Sequence, residues 1–186
     1  MKLLRNLIKM QTINDGSRSL LESAMVPEVV QALKDLRHQF NGVIIGGLAL
    51  SYYCKPRYTQ DIDSLFNSES EFPDELRGFK KNRKHGYIHN NTHVELELLT
   101  PQHLNNDISP ETAKKIIDTA IEIDGIKIAS KSGLVAAKLG RASYKDKDDI
   151  IQLILTGDVD VSDYNLSSDK IILFNQLVDE SKSYGV

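Results

Sequence analysis

The chain has 186 residues and a formal charge of −3, with 40% apolar and 26% charged residues. This length suffices for one buried core, and the composition excludes disordered and fibrous proteins. The slight negative charge argues against a protein whose main role is to coat nucleic acid. The single cysteine, Cys54, predicts a packed thiol in a reducing, cytoplasmic setting. We expect no membrane segment and no secretory leader, because no apolar run is long enough.

Between residues 27 and 66 the pattern predicts helices that alternate with strands. "PEVVQALKDLRHQF" (27–40) opens with a proline and has apolar residues at helical spacing, which predicts a helix. The continuously apolar "VIIGG" (43–47) predicts a short buried strand, and "LALSYYC" (48–54) predicts a helix that ends before a proline. "TQDIDSLF" (59–66) predicts a second strand.

Later segments predict two further strands and several helices. The polar stretch 68–91 is expected to contain a short helix, and "THVELELLT" (92–100) alternates in the manner of a third strand. "SPETAKKIIDTAIEI" (109–123) predicts a helix with a serine N-cap, followed by an edge strand at "GIKIAS" (125–130). The remaining apolar segments predict helices.

We therefore predict an α/β fold with a small mixed β-sheet flanked by helices and followed by a helical C-terminal part. Residues 1–130 would form the α/β core. Residues 131–186 would form a helical region packed on that core, so that the chain is one compact unit.

Two other sequence patterns, a basic run and three evenly spaced histidines, are interpreted without a binding function. The basic run "KKNRK" (80–84) is interpreted as a solvated helix end rather than a phosphate-binding patch. His85, His89 and His93 recur every four residues, but intervening glycine and asparagine residues argue against a continuous helix. We therefore expect loop histidines there rather than a helical metal-binding face.

The second predicted strand carries two aspartates, Asp61 and Asp63, separated by Ile62. Side chains alternate along a strand, so both carboxylates project from one face, with Cα atoms about 6.5 to 7 Å apart. Two such acids repel each other unless a cation lies between them, and carboxylate oxygens suit Mg²⁺ or Mn²⁺. Taken alone, such a pair is more often a solvent-facing polar edge.

The order of the neighbouring elements favours a functional interpretation. Gly46 and Gly47 stand between a strand and a helix, which puts free N–H groups and the positive helix end near the carboxylates. Neither a dinucleotide fingerprint nor a Walker loop is present. Glu95 and Glu97 share one face of the third strand, and either could be a third acid in a two-metal site for phosphoryl or nucleotidyl transfer.

These motifs resemble those of the DNA polymerase β-like nucleotidyltransferase superfamily, specifically its AbiEii-type toxin branch. "GGLALSYYCKPRYTQDID" is similar to a GG-x-A helix start followed by an R-x-T-x-D-[IL]-D strand, at Gly46, Gly47, Ala49, Arg57, Thr59, Asp61 and Asp63. "VELELLTP" resembles the third-acid strand, with glutamate where the family usually has aspartate. "LVAAKLGRASYKDKDDIIQLI" resembles a helical segment of that branch, at Lys138, Arg141, Lys145, Asp146, Asp149 and Ile150.

The resemblance implies roles for individual residues. It implies that the catalytic acids are Asp61, Asp63 and either Glu97 or Glu95. The ligands of Mg²⁺ or Mn²⁺ would be Asp61, Asp63 and this third acid, with Glu97 preferred over Glu95. It implies that the nucleotide is bound by Gly46, Gly47, Arg57 and Lys138. In this scheme Lys138 neutralises phosphate charge, while Arg57 either holds a phosphate or braces an aspartate.

The resemblance also implies partners. The activity would be transfer of a nucleoside monophosphate from a triphosphate such as ATP to an acceptor hydroxyl, on an RNA such as tRNA or on a protein. A toxin role, with an antitoxin as partner, follows from the same branch. The alternatives are nucleotidylation of a small molecule, such as an aminoglycoside-type antibiotic, and a catalytically silent nucleotide-binding module.

Overall fold

The computed structural model describes residues 19–24, 26–54, 58–82, 85–104 and 107–185. Within them the helices are α1 (Leu20–Ser23), α2 (Pro27–Leu36), α3 (Gly46–Tyr53), α4 (Pro110–Asp118), α5 (Lys131–Arg141), α6 (Tyr144–Leu155) and α7 (Ser168–Gly185), and a 3₁₀ turn spans Glu69–Glu71. The strands are β1 (Val43–Ile44), β2 (Asp61–Leu65), β3 (Phe79–Lys81), β4 (Gly86–His89), β5 (Glu95–Leu99), β6 (Ile121–Ile123) and β7 (Ile126–Ile128).

The strands form one mixed sheet in the order β3-β4-β5-β2-β1-β7-β6. β2 and β5 are parallel, as are β1 and β7, and the other neighbours are antiparallel. In the described part of the chain, only helices and loops follow Ile128. The predicted α/β fold, with a mixed sheet and a helical C-terminal part, is confirmed.

Two strands lie in the stretch 68–91, where the sequence predicts only a short helix. β3 and β4 pair with each other, and β4 also pairs with β5, which extends the sheet by two strands. Lys80 and Lys81 therefore lie on a strand, so the prediction of a helix end there is wrong, while Arg83 and Lys84 lie outside the described residues. The error arises because β3 and β4 have only three and four residues, too few for a clear apolar period, so that pairing with neighbouring strands defines them.

Two boundaries near the opposite edge also differ from prediction. Residues 121–123, predicted to belong to the helix that begins at residue 109, instead form strand β6. Asp124 and Gly125 both adopt positive φ (55° and 77°) and make a hairpin turn between β6 and β7. β6 is the edge strand, and β7, predicted to be the edge, lies between β6 and β1. Helix α2 ends at Leu36 rather than residue 40, since Arg37 leaves helical geometry with a ψ of 132° and His38 then has a left-handed φ of 63°.

The core is centred on the middle of the sheet. Ile44, Ile62, Leu96 and Ile128, from four adjacent strands, are each at most 1% exposed. The buried Cys54 confirms the predicted packed thiol. No helix among the described residues combines the length and the apolar character needed to cross a bilayer.

Candidate active site

Four acidic side chains form a row on one face of the sheet. β2 and β5 run parallel, with Asp61 opposite Glu95 and Asp63 opposite Glu97. Residues paired in this way point to the same face, and neighbouring strands lie about 4.8 Å apart. We call these four residues the acid row. Asp61 and Glu95 are exposed, whereas Asp63 and Glu97 are half-buried.

The backbone of Gly46 lies directly against the Asp63 carboxylate. A Cβ atom built on Gly46 would lie 2.0 Å from Asp63 Oδ2, so only glycine fits there. Gly46 also has a φ of 68°, a left-handed conformation that favours glycine, and it begins helix α3. The preceding residue is fixed too, because Ile45 N–H donates to the Asp63 carbonyl oxygen at 3.0 Å.

The N-terminus of α3 has no side-chain cap. Its N-cap residue, Ile45, has no side-chain acceptor, so the N-cap side chain makes no hydrogen bond to the first N–H groups of the helix. Gly47 follows, and a Cβ there would lie 3.3 Å from Thr59 Oγ1. Thr59 Oγ1 donates to Asp61 Oδ1 at 2.9 Å and thereby orients this aspartate. No contact between Thr59 and the acid row is predicted from the sequence, and this hydrogen bond is found only in the structure.

A cleft of about 360 Å³ lies between this part of the sheet and helix α5. Asp63 and Glu97 line it from the sheet, Gly46 lines it from the start of α3, and Lys138 and Arg141 line it from α5. We call this the inner cleft. It brings together one of the two glycines, one of the two aspartates and the lysine of the predicted site. The N-terminus of α3 also borders the inner cleft, beside these carboxylates. A helix N-terminus is a common binding site for phosphate groups.

The cations of the inner cleft are held by aspartates of helix α6. The Lys138 side chain is 9% exposed, and its Nζ donates to Asp149 Oδ2 at 2.7 Å and to Asp146 Oδ1 at 3.4 Å. Arg141 binds Asp146 with two hydrogen bonds, from Nε at 2.7 Å and Nη2 at 2.8 Å. Sequence reasoning matches Arg141 to a family position but gives it no role. Its spacing of three residues from Lys138 on a helix is the signal that both share a face.

These contacts change the ionisation of the groups around the cleft. Burial, followed by the charges of Asp61 and Glu97, raises the pKa of Asp63 to about 6, although Arg141 and Lys138 act in the opposite direction. Burial also acts to raise the pKa of Asp146, but hydrogen bonds from Arg141 and Ser143 hold it well below its usual range. Asp146 is therefore a fixed anion, while Asp63 carries negative charge that its surroundings do not neutralise.

The inner cleft as a whole has excess negative charge. Among the described residues that line it, four carboxylates (Asp63, Glu97, Asp107 and Asp146) face two cations (Lys138 and Arg141). A charge imbalance of this kind attracts divalent cations, and oxygen ligands select Mg²⁺ or Mn²⁺.

The two remaining acids border a second, more open cleft of about 550 Å³. Asp61 and Glu95 line it together with Tyr58 and Gln60, and we call it the outer cleft. The sequence leaves open whether Glu95 or Glu97 is the third acid. In the structure, Glu97 lies beside Asp63 in the inner cleft, and Glu95 lies beside Asp61 in the outer cleft. Arg57, predicted to bind nucleotide, lies outside the described residues.

The three histidines predicted to be in loops have different environments. His89 lies on β4 and is fully buried, with Nε2 at 2.8 Å from Asp35 Oδ2, so the loop prediction is wrong for it. His85 precedes β4 and His93 lies in the turn after it, as expected. A histidine that sequence reasoning did not consider, His103, lines the inner cleft.

The mixed sheet, the paired carboxylates and the glycine-started helix beside them define a domain of the nucleotidyltransferase class. Residues 23–181 match a family model described as "Nucleotidyltransferase of unknown function (DUF6036)", and the chain belongs to this family. A search of curated proteins gave no match. The predicted nucleotidyltransferase family is thereby confirmed, and the AbiEii-type branch is a finer assignment that the match does not reach.

Proposed function

We propose that the protein transfers a nucleoside monophosphate from a nucleoside triphosphate to an acceptor hydroxyl, with Mg²⁺ or Mn²⁺ as cofactor. The observation that carries this proposal is the acid row lying beside the uncapped start of α3. Family membership supports the class of reaction. The metal, the nucleotide donor and the acceptor are further parts of this proposal.

In this proposal the acid row provides the ligands of a divalent cation. Asp61, Asp63 and Glu97 offer oxygen ligands. Burial first, and then the charges of Asp61 and Glu97, raise the pKa of Asp63, and a cation beside these acids would offset their mutual repulsion. These three residues would hold the ion. A bound ion would supply Lewis-acid stabilisation of the charge that develops on phosphate oxygens. We prefer Glu97 to Glu95 as third acid because it shares the inner cleft with Asp63 and Lys138.

The same cleft offers groups for a triphosphate. The absence of a Cβ at Gly46 lets the backbone lie against the Asp63 carboxylate, and the N–H groups at the start of α3 can donate to phosphate oxygens beside it. Lys138 and Arg141 lie on the facing helix. In our proposal they neutralise charge on the departing pyrophosphate while Asp146 and Asp149 hold them in position.

The proposed step is an in-line displacement at the α-phosphorus. The acceptor oxygen forms a bond to this phosphorus while the bond from the phosphorus to the β-phosphate oxygen breaks, and pyrophosphate leaves. The proton of the acceptor hydroxyl passes to a carboxylate of the acid row. The outer cleft, which adjoins the exposed end of the row at Asp61 and Glu95, is the proposed approach for the acceptor.

We propose an RNA such as tRNA, or a protein, as the acceptor, and a toxin role with an antitoxin partner. The support is the sequence resemblance to AbiEii-type toxins. Induced expression of the active chain should slow bacterial growth, and expression of Asp63→Ala should not. Equal growth of the two cultures would contradict the toxin role and leave the transfer reaction to be judged by labelling.

The transfer reaction is tested by labelling. Purified protein, Mg²⁺ and each α-labelled nucleoside triphosphate are incubated with tRNA, cell extract proteins or an aminoglycoside. We expect label on RNA or protein, and a loss of about 100-fold or more in Asp61→Ala and Asp63→Ala. Asp179→Asn, at an exposed position of α7 that lines neither cleft, is the matched control. Triphosphate binding without any transfer would instead establish the silent module.

The same assay identifies the third acid. Glu97→Gln should abolish labelling as strongly as Asp63→Ala, and Glu95→Gln should retain a large part of it. The reverse order would assign Glu95 to the metal and contradict the proposed role of the inner cleft.

A small cationic acceptor is the second candidate, and one observation favours it. Among the described residues that line the outer cleft, Glu28, Asp61 and Glu95 are acidic and none is lysine or arginine. An acidic surface attracts polyamines and aminoglycosides and repels the phosphate backbone of RNA. Label on the aminoglycoside alone would select this function.

A further inference from the structure

Outside the acid row, two histidines and a glutamate from three separate segments converge at one point. Glu69 begins the 3₁₀ turn, His85 precedes β4, and His103 lies in the turn after β5. One ligand atom from each lies within 4.8 Å of the other two. We propose that Glu69, His85 and His103 form a binding site for a divalent transition-metal ion of the zinc class. This proposal does not depend on the nucleotidyl transfer proposed above.

The distances suit such an ion. Zn²⁺ binds imidazole nitrogen and carboxylate oxygen at about 2.0 to 2.2 Å, so two ligand atoms of a tetrahedral site lie about 3.3 Å apart. His103 Nε2 and Glu69 Oε1 are separated by 3.2 Å. The rings of His85 and His103 are close as well, with centroids 4.4 Å apart.

The donor set selects the metal. Two imidazoles and one carboxylate favour Zn²⁺, Ni²⁺ or Co²⁺ over Mg²⁺, which prefers oxygen ligands alone. Three protein ligands leave at least one coordination position open. The site therefore differs in chemistry from the acid row, although His103 lines the inner cleft together with Glu97.

Neighbouring residues position one of the three ligands, His103, and the Glu69 carboxylate is directed at it. Thr100, which is 1% exposed, has Oγ1 at 3.0 Å from His103 Nδ1. The neighbouring acid Glu71 accepts hydrogen bonds from Asn67, while Glu69 is directed at His103. Phe72 stacks on the His103 ring, with centroids 6.1 Å apart. Among the described residues, no hydrogen bond or ion pair fixes the His85 ring, so it can rotate toward an ion.

Metal binding requires a change of tautomer at His103. Thr100 N–H donates to His103 Nδ1 at 3.2 Å, so without metal the ring proton is on Nε2 and points at Glu69. With metal on Nε2, the proton resides on Nδ1 and is donated to Thr100 Oγ1, and the Thr100 N–H gives up its hydrogen bond to Nδ1. Histidine ligands commonly donate their second N–H in this way, and loss of the outer partner costs about 10- to 100-fold in affinity.

The test is a Zn²⁺ titration of the full chain after treatment with EDTA, with a chromophoric chelator as competitor and excess Mg²⁺ to occupy the acid row. We expect one Zn²⁺ per chain. His85→Ala, His103→Ala and Glu69→Gln should each weaken binding by about tenfold or more, and Thr100→Val by about tenfold. Co²⁺ should give visible absorption bands that His85→Ala abolishes.

Two controls separate this site from the proposed catalytic one. His38→Asn changes an exposed histidine elsewhere and keeps a residue that tolerates the left-handed φ of 63°. Asp63→Asn changes the acid row. Both should bind Zn²⁺ as the unchanged chain does. Absence of stoichiometric binding, equal binding in His85→Ala, or loss of binding in Asp63→Asn would each overturn the proposal. Because His85 is exposed, its replacement leaves the fold intact even if His103→Ala does not.

Discussion

At the scale of single residues, burial and neighbouring acids make ionisation of Asp63 unfavourable. Its carboxylate is half-buried beside two other acids, and its pKa is raised to about 6 from an ordinary value near 3.8. The folded protein thus binds the Asp63 proton more tightly than the unfolded chain does. Ionisation of this group costs stability, and the cost develops as the pH rises from about 4 to 6 and is complete above 6.

The isosteric change Asp63→Asn should therefore stabilise the metal-free protein. In EDTA at pH 7.5 we expect a gain of about 1 to 3 kcal/mol in the free energy of unfolding, since each unit of pKa corresponds to about 1.4 kcal/mol. The gain should disappear below pH 4. Urea denaturation at several pH values measures it.

The exposed Asp148→Asn on α6 is the control for this prediction and should show no such pH-dependent gain. Added Mg²⁺ should stabilise the unchanged chain above pH 6 and leave Asp63→Asn unaffected. A variant that is less stable than the unchanged chain at pH 7.5 would show that the Asp63 charge is already neutralised in the folded protein.

At the scale of elements, α5 and α6 are joined by a buried ionic network. Lys138 on α5 pairs with Asp149 on α6, and both side chains are less than 10% exposed. Removal of one member of a buried pair leaves a charge without compensation, which costs about 3 to 5 kcal/mol, whereas apolar replacement of both members is often neutral. This network is independent of any bound nucleotide.

Lys138→Met should thus destabilise the protein by about 3 kcal/mol, and Lys138→Met with Asp149→Leu should recover most of that loss. Lys145→Met, at an exposed position of α6, should change stability by less than about 0.5 kcal/mol. Denaturant unfolding measures all three. If the double variant folds well but transfers no label, Lys138 acts on the phosphates as well as on α6; full labelling by the double variant would restrict it to a structural role.

The elements also show what the sequence can and cannot predict. β2 and β5 were predictable because strict alternation placed Asp61, Asp63, Glu95 and Glu97 on strand faces. β4 was not, because its identity depends on pairing with β5, where Gly86 lies opposite Glu97. A Cβ on Gly86 would lie 2.3 Å from the Leu96 carbonyl oxygen, a close approach that has no signature in the local sequence.

The same limit applies to the site. The glycines and acids of the site could be named from their order along the chain. The partners of Lys138, the proximity of Arg141 to the cleft and the convergence of His85 with His103 arise from contacts between segments far apart in sequence. Short-range periodicity contains no information on such contacts, which the tertiary fold determines.

At the scale of the whole molecule, the C-terminal helices complete the core that the sheet begins. Leu134, Val135 and Leu139 of α5 are each at most 1% exposed. Helix α5 packs against α3 and α4, and at Gly133 a Cβ would be in van der Waals contact with Ile116 Cγ2 of α4, at 3.5 Å. Polar contacts cross the same boundary, since Thr112 Oγ1 donates to the Tyr164 carbonyl oxygen at 2.7 Å.

We therefore expect residues 1–130 and 131–186 to unfold together as one cooperative unit. A buried leucine or valine contributes about 1.5 to 3 kcal/mol, so loss of the three α5 side chains alone would remove stability comparable to that of a small domain. A chain truncated after residue 130 should lack a cooperative urea transition, while the full chain should show coincident transitions by far-UV circular dichroism and tyrosine fluorescence. A cooperative transition in the truncated chain would instead establish a separate α/β domain, and the inner cleft would then lie between two units able to move apart.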